Sequence, residues 1–276
     1  MQMIPIENVI KEKNIIVFAP HFDDSILIPG NYFLEMKDRD FLRSKNIEVV
    51  LIFSRSNYLA RTEEENYDTS LDRIKLATGK RFLEDLECLD ELLGEFGYKY
   101  RILGEKECLL RSKILAKTGM EFPWGMYEDF NGEDWAALER VRQSVMEYAA
   151  NEDTALIFPL AFKEHIDHFI VREAGLKAAK ELGPKARAAF YFQEDKPYSG
   201  LTDDDEALRI EKFLRDHSFE KLIYKAHPEK LIELSFKHYI SQVEEIYETG
   251  IQHRSKELKK KYGASYPCDQ IYLYKN

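Results

Sequence analysis

Two short stretches carry the residue types that hydrolytic metal chemistry needs. Pro20-His21-Phe22-Asp23-Asp24-Ser25 sets one imidazole beside two adjacent carboxylates, and Glu164-His165-Ile166-Asp167-His168 sets two imidazoles around a third. A catalytic zinc ion takes three His or carboxylate ligands and keeps a fourth position open for water. Adjacent residues on an extended loop point in different directions, so one of Asp23 and Asp24 can bind a metal while the other faces the water. His165 and His168, three apart where a helix begins, share a face, so one can ligate while the other meets a substrate. Asp167 stands where it can orient an imidazole through its second nitrogen. At this level the choice within each pair stays open. A lone loop histidine is ordinarily a surface or satisfied residue, and His217, His227, His238 and His253 are read that way.

The surrounding pattern must bring the two stretches together. Residues 14–20 form a short apolar run stopped by proline, residues 47–54 a second, and residues 154–162 a third. Such continuous runs mark strands buried on both faces. Residues 188–192 add a further strand. Between them, apolar residues recur at helical spacing over 70–94, 134–150 and 169–182, with two more helices expected over 203–216 and 228–250. This alternation predicts an α/β fold, Rossmann-like, with a mostly parallel sheet and helices on both faces. No linker or repeat divides residues 1–276, which are expected to form a single domain with an irregular insertion at about 104–132. In open parallel sheets ligands bind beyond the carboxyl ends of the strands, and the first and third strands run directly into the two clusters.

Composition narrows the function classes. The chain has 276 residues and a formal net charge of −10, so a general binder of nucleic acid or of anionic membranes is not expected. Lys259-Lys260-Lys261 reads as a solvated helix face, and Asp203-Asp204-Asp205-Glu206 as the acidic start of a helix rather than a calcium loop. The three cysteines lie far apart without a CxxC pair, which indicates free thiols in a reducing cytoplasm. No secretory signal is evident, and residues 155–162 fall far short of the ~20 apolar residues that span a bilayer. A cytoplasmic protein is expected. A homo-oligomer is compatible with this composition, which does not determine the oligomeric state. There is no GxGxxG after the first strand, Thr78-Gly79-Lys80 lacks the earlier glycine of a P-loop, and there is no GxSxG elbow, which argues against nucleotide-dependent enzymes and serine hydrolases.

At the two clusters the sequence resembles the PIG-L/LmbE-like N-deacetylases, zinc hydrolases that remove acetyl groups from N-acetylated sugars. That family carries a Pro-His-Pro-Asp-Asp-Glu loop and a His-x-Asp-His motif, against Pro20-His21-Phe22-Asp23-Asp24-Ser25 and His165-Ile166-Asp167-His168 here. The likeness extends more loosely to Arg81-x-x-Glu84-x-x-x-Cys88, Glu194-Asp195-Lys196-Pro197-Tyr198 and Tyr239-Ile240-Ser241-Gln242. It implies His21, Asp24 and His168 as zinc ligands and Asp23 as general base. It further implies His165 as the group that stabilises the oxyanion or protonates the leaving amine, with Asp167 tuning His165. Phe22 and Ser25 depart from the family pattern, the latter replacing a glutamate.

Arg81, Glu194 and Tyr198 are candidate contacts to a sugar substrate, although a salt bridge for Arg81 and a purely structural turn at 194–198 are the plainer readings. Aromatic residues in the insertion (Phe122, Trp124, Met126, Tyr127 and Phe130 in its apolar set) could stack on a sugar or cover the core. The expected activity is zinc-dependent removal of an N-acetyl group from a GlcNAc-type amino sugar or its conjugate. The alternative is a catalytically silent carbohydrate-binding protein on the same fold, motivated by Ser25.

Overall fold

The computed structural model describes residues 3–61, 63–111 and 130–275. The sheet is built on β1 (Asn14–Ala19), β2 (Asn46–Leu51), β3 (Tyr98–Ile102), β4 (Thr154–Pro159), β5 (Ala189–Gln193), β6 (Phe219–Lys225) and β7 (Cys268–Tyr274). Their spatial order is β3-β2-β1-β4-β5-β7-β6. The first five are parallel, with Val17 opposite Val49 on one side and Ile157 on the other, while β7 pairs antiparallel with both β5 and β6. The chain is thus an α/β protein with a mostly parallel sheet.

Successive residues of a strand face opposite sides, and here each side has its own apolar layer. Ile15 and Val17 of β1 pack with α2 (Gly30–Asp38), α3 (Leu71–Leu93) and, through Leu231 and Leu234, α8 (Pro228–His238). Ile16 and Phe18 pack on the opposite side with α5 (Gly132–Ala149) and α6 (Ile166–Leu182). Two further short helices, α1 (Asp24–Leu27) and α4 (Cys108–Arg111), belong to the loops at the carboxyl ends of the strands. The layers are completed by α7 (Asp204–Asp216) and α9 (Glu245–Tyr262).

The four expected strands are present as β1, β2, β4 and β5. Three were not foreseen. The burial of β3 is weak because it lies at the edge of the sheet, and β6 and β7 carry charged and aromatic residues instead of a plain aliphatic run. The helix expected over 228–250 is two helices, separated at residues 239–244, where buried Tyr239, Ser241 and Gln242 turn inward. Most of the expected insertion, residues 112–129 with four of its aromatic and methionine side chains, lies outside the described residues. The acidic run does open a helix: Asp203 Oδ1 accepts the Glu206 N–H at 2.8 Å.

Where β4 ends, the sheet connection reverses direction between β1 and β4, and this is the place where doubly wound sheets bind ligands. Helix α6 lies close against β4 there because it carries Gly175. A Cβ at this position would meet the Phe158 ring at 2.8 Å, so a larger residue would lift the helix off the strand.

Candidate metal centre

Both clusters sit at that reversal. After β1 the chain passes Pro20 and turns into α1, which carries Asp24 as its first residue, with Asp23 immediately before. After β4 it runs through Ala161 and Lys163, both with left-handed backbones (φ 59°), and enters α6 with His165 as the N-cap. A left-handed alanine or lysine costs roughly 1–2 kcal/mol, so surrounding contacts must hold the turn. Asp195, which follows β5, does so: its Oδ1 accepts Leu160 N–H at 2.8 Å and its Oδ2 accepts Phe162 N–H at 3.0 Å. The helix expected from residue 169 begins at Ile166, since the His165 imidazole accepts the Asp167 N–H at 3.2 Å.

The carboxylate of Asp24 is the centre of the arrangement. Its Oδ2 lies 3.2 Å from His21 Nδ1 and 3.1 Å from His168 Nε2, and the loop itself ties it down through His21 N–H at 2.9 Å. Ligands about 2.0–2.1 Å from a tetrahedral zinc stand roughly 3.3 Å apart, so these separations match those of a coordination shell. The far nitrogens are also committed. His21 Nε2 donates to Asp167 Oδ2 at 2.9 Å, and His168 Nδ1 donates to Asp195 Oδ2 at 3.1 Å. These donations fix which nitrogen of each ring faces Asp24, Nδ1 of His21 and Nε2 of His168, and a metal that displaces their protons would find its ligand lone pairs there. The donor set therefore fits a divalent ion.

A second grouping, His21, His165 and Asp167, has ligand atoms equally close together. Its carboxylate is already consumed: Asp167 Oδ1 accepts Arg111 Nη2 at 2.6 Å, and Oδ2 accepts the Cys108 N–H at 3.0 Å besides His21. A third, Glu35, Asp38 and His227, lies apart and is neutralised by Lys225, Arg39 and Lys230. Among the described residues, the set around Asp24 is the one whose carboxylate has no arginine or lysine partner.

The electrostatics follow from burial and these pairings. Burial disfavours the His21 imidazolium, but the hydrogen bonds to Asp167 and Asp24 outweigh it and raise its pKa to about 9. Burial likewise opposes charge on His168, and Asp24 and Asp195 together raise it well above the ordinary value. Asp24 is held below the usual carboxylate range by the two imidazoles despite its burial. His165 is pushed well down by burial and the neighbouring His21, so it is neutral at pH 7. Asp23 moves the other way: burial and the Asp24 charge raise it to about 6, against Arg81 and His21.

Asp23, His21 and His165 border a cavity of about 60 Å³, with Arg81, Tyr58, Tyr198, Gln242 and Tyr247 among its other walls. Of the three candidate substrate contacts, Arg81 and Tyr198 are therefore beside the cluster. Arg81 is only 3% exposed: Nη1 donates to Glu107 Oε1 at 2.5 Å and Ser56 Oγ at 2.7 Å, Nε to Gln242 at 2.8 Å, and Nη2 stands 3.8 Å from Asp23. Glu194 is elsewhere. Its carboxylate is buried against Arg254 (2.5 and 2.7 Å) and Gln270, and it borders a separate cavity between α7 and α9. It alternates with Asp195, and it is Asp195 that turns to the cluster.

Asp167 also differs from expectation. Its carboxylate holds His21 rather than the His165 ring, because Arg111 and Cys108 fix it on the side of the β1 loop. The residues that sequence reasoning passed over are Asp195, Arg111 and Glu107. Asp195 alone had a local signal, its place just after a buried strand beside the histidine strand. Among the described residues no helix is long and apolar enough to cross a membrane.

No family model matches this chain, and no curated protein matches it in sequence. Solved structures do match in fold. An antimicrobial A40926 pseudoaglycone deacetylase superposes with a TM-score of 0.59 at 16% identity, over 95% of this chain and 96% of that one. The zinc-inhibited form of a teicoplanin deacetylase gives 0.58 at 16% identity, over 94% and 97%. The N,N′-diacetylchitobiose deacetylase of Pyrococcus horikoshii gives 0.54 at 14% identity, over 98% and 86%. Over nearly its whole length, the chain has the fold of these deacetylases.

Proposed function

We propose that this protein is a divalent-metal-dependent N-deacetylase of an N-acetylated amino sugar or its conjugate, with zinc as the expected ion. The observation that carries the reading is the Asp24 carboxylate set 3.1–3.2 Å from two imidazole nitrogens whose opposite N–H groups are spent on carboxylates. The fold shared with the A40926 pseudoaglycone and N,N′-diacetylchitobiose deacetylases supports it.

His21, Asp24 and His168 would hold the metal, which when bound supplies Lewis acidity and lowers the pKa of a coordinated water. Asp23, beside Asp24 and facing the cavity, takes the proton from the attacking water. Its elevated pKa suits a base working near neutrality. Neutral His165 borders the same cavity as Asp23, where an imidazole N–H can stabilise the tetrahedral oxyanion or pass a proton to the departing amine. Arg81, held by Glu107, and Tyr198 offer hydrogen bonds to sugar hydroxyls. Water adds to the carbonyl carbon, the C–N bond breaks, and acetate and a free amine leave.

The test is elemental analysis of the purified protein with Asp24→Ala alongside, followed by acetate release from N-acetyl sugars with zinc and other divalent ions supplied in turn. About one equivalent of metal, lost in the variant, together with acetate release supports the proposal. Saturable sugar binding without acetate release would establish the silent carbohydrate-binding reading in its place.

A further inference from the structure

One buried carboxylate beside the metal loop has no part in the chemistry above. Asp85, on α3, is 0% exposed, and among the described residues no lysine, arginine or histidine pairs with it. Three hydroxyls serve it instead. Ser25 Oγ and Tyr239 OH (2.7 Å) donate to Oδ1, and Tyr100 OH donates to Oδ2. Tyr239 OH also lies 3.2 Å from Ser25 Oγ. A buried charge without a countercharge is costly, and here burial pushes the carboxyl up to about 7 against the three hydroxyl donors.

Ser25 is the link to the site. It is fully buried and follows Asp24 within α1, a single helical turn of four residues. One isolated turn does not stabilise itself, so its direction depends on tertiary contacts. The Asp23 side chain makes no capping hydrogen bond to that turn. Within the turn, the side-chain hydrogen bond to α3 is the one from Ser25 to Asp85, while Asp23, just ahead of it, stands 3.8 Å from Arg81 on the same helix. The turn must hold Asp24 toward two imidazoles and Asp23 toward the cavity, although the two like charges repel.

We infer that Asp85 is a positioning residue for the metal loop, acting through Ser25, and that it delivers from α3 the carboxylate which the resembling motif carries on the loop as glutamate. A glutamate at position 25 is two carbons longer than serine in reach and would bring an oxygen to the space of Asp85 Oδ1. The functional consequence rests on the metal reading above; the positioning itself does not.

The test compares Ser25→Ala, Asp85→Ala and the exchange variant Ser25→Glu/Asp85→Ala with the wild-type chain. Amide exchange at residues 24–27 is followed in metal-free protein, and Co²⁺ binding by its visible absorption. The single variants are expected to exchange about fivefold faster and to bind Co²⁺ about tenfold more weakly, with altered absorption bands. The exchange variant is expected to recover most of both. Ser25→Ala removes a single oxygen, so it decides the matter even if Asp85→Ala does not fold. Wild-type exchange and affinity in Ser25→Ala, or a folded exchange variant no better than Asp85→Ala, would overturn the inference. If wild-type protein takes up no Co²⁺, the metal reading fails, while faster exchange in Ser25→Ala would still uphold the positioning role.

Discussion

Asp195 Oδ2 accepts the Nδ1–H of His168 at 3.1 Å while the same carboxylate takes two backbone N–H groups of the strained turn after β4. One side chain thus sets both the tautomer of an imidazole and the path of the chain that delivers it. Carboxylates that orient a ligating histidine typically contribute 10–100-fold to metal affinity. Asp195→Ala is expected to weaken metal binding by about that factor and to lower stability as well. Competition titration against a chromophoric chelator, with thermal melting alongside, checks both.

The roles proposed for the neighbours Asp23 and Asp24 differ, and substitution should separate them. Asp23→Asn is expected to keep a full equivalent of metal and to lose about 10²–10⁴-fold in rate, the usual weight of a positioned base. Asp24→Ala is expected to lose metal and rate together. Parallel elemental analysis and kinetics distinguish the two; full activity in Asp23→Asn would refute its assignment as base.

The pH profile has a definite sign. A carboxyl raised to about 6 is protonated below that value and cannot accept a proton, so rate is held above it and falls as pH falls through it. A bound cation favours the carboxylate and moves this limb downward. At saturating metal, kcat/KM is expected to be flat from pH 7 to 8, with its acid limb at or below about pH 6. Protons also compete with metal for His21 and His168, so metal content must be followed at each pH. A limb that survives unchanged in the residual activity of Asp23→Asn would belong to another group.

Arg111 is 2% exposed at its side chain and lies between Asp134 and Asp167, at 2.6 Å from each. Its removal leaves buried Asp134 without its arginine and Asp167 with His21 alone, and breaking such a buried pair costs about 3–5 kcal/mol. Arg111→Met is expected to lower the unfolding free energy by that order in urea titration. It should also raise the Asp167 pKa and loosen His21, weakening metal binding in the folded fraction.

Gly175 provides a test of the scaffold alone. With the Phe158 ring 2.8 Å from the point where an added methyl would stand, Gly175→Ala should destabilise by about 1–3 kcal/mol through overpacking. Because it lies more than a turn from His168, metal stoichiometry is expected to stay at the wild-type value at low temperature. Denaturation and elemental analysis together report the outcome.

The local pattern of the chain determined the α/β class, the four adjacent parallel strands β1, β2, β4 and β5, and the two clusters that meet at their ends. Continuous apolar runs and helical spacing are local properties, and strands buried on both faces show them most plainly. The histidines and aspartates were legible for the same reason, as dense groups of ligand types directly after such strands. Strand β3 was hidden by its place at the sheet edge, and β6 and β7 by their charged and aromatic residues. The break between α8 and α9 was hidden because it exists for contacts distant in sequence: Ser241 and Gln242 turn in to Glu84 and Arg81.

Tertiary structure alone decided which carboxylate serves which imidazole. Asp167 goes to His21 across 146 residues because Arg111 and the Cys108 N–H hold it there, and Asp195, not Glu194, reaches His168 because alternate residues after β5 face opposite ways. Hydrogen-bond partners are set by the direction of a side chain in space. Residue type and spacing establish which groups are able to bond, but only the packed sheet establishes which of them meet.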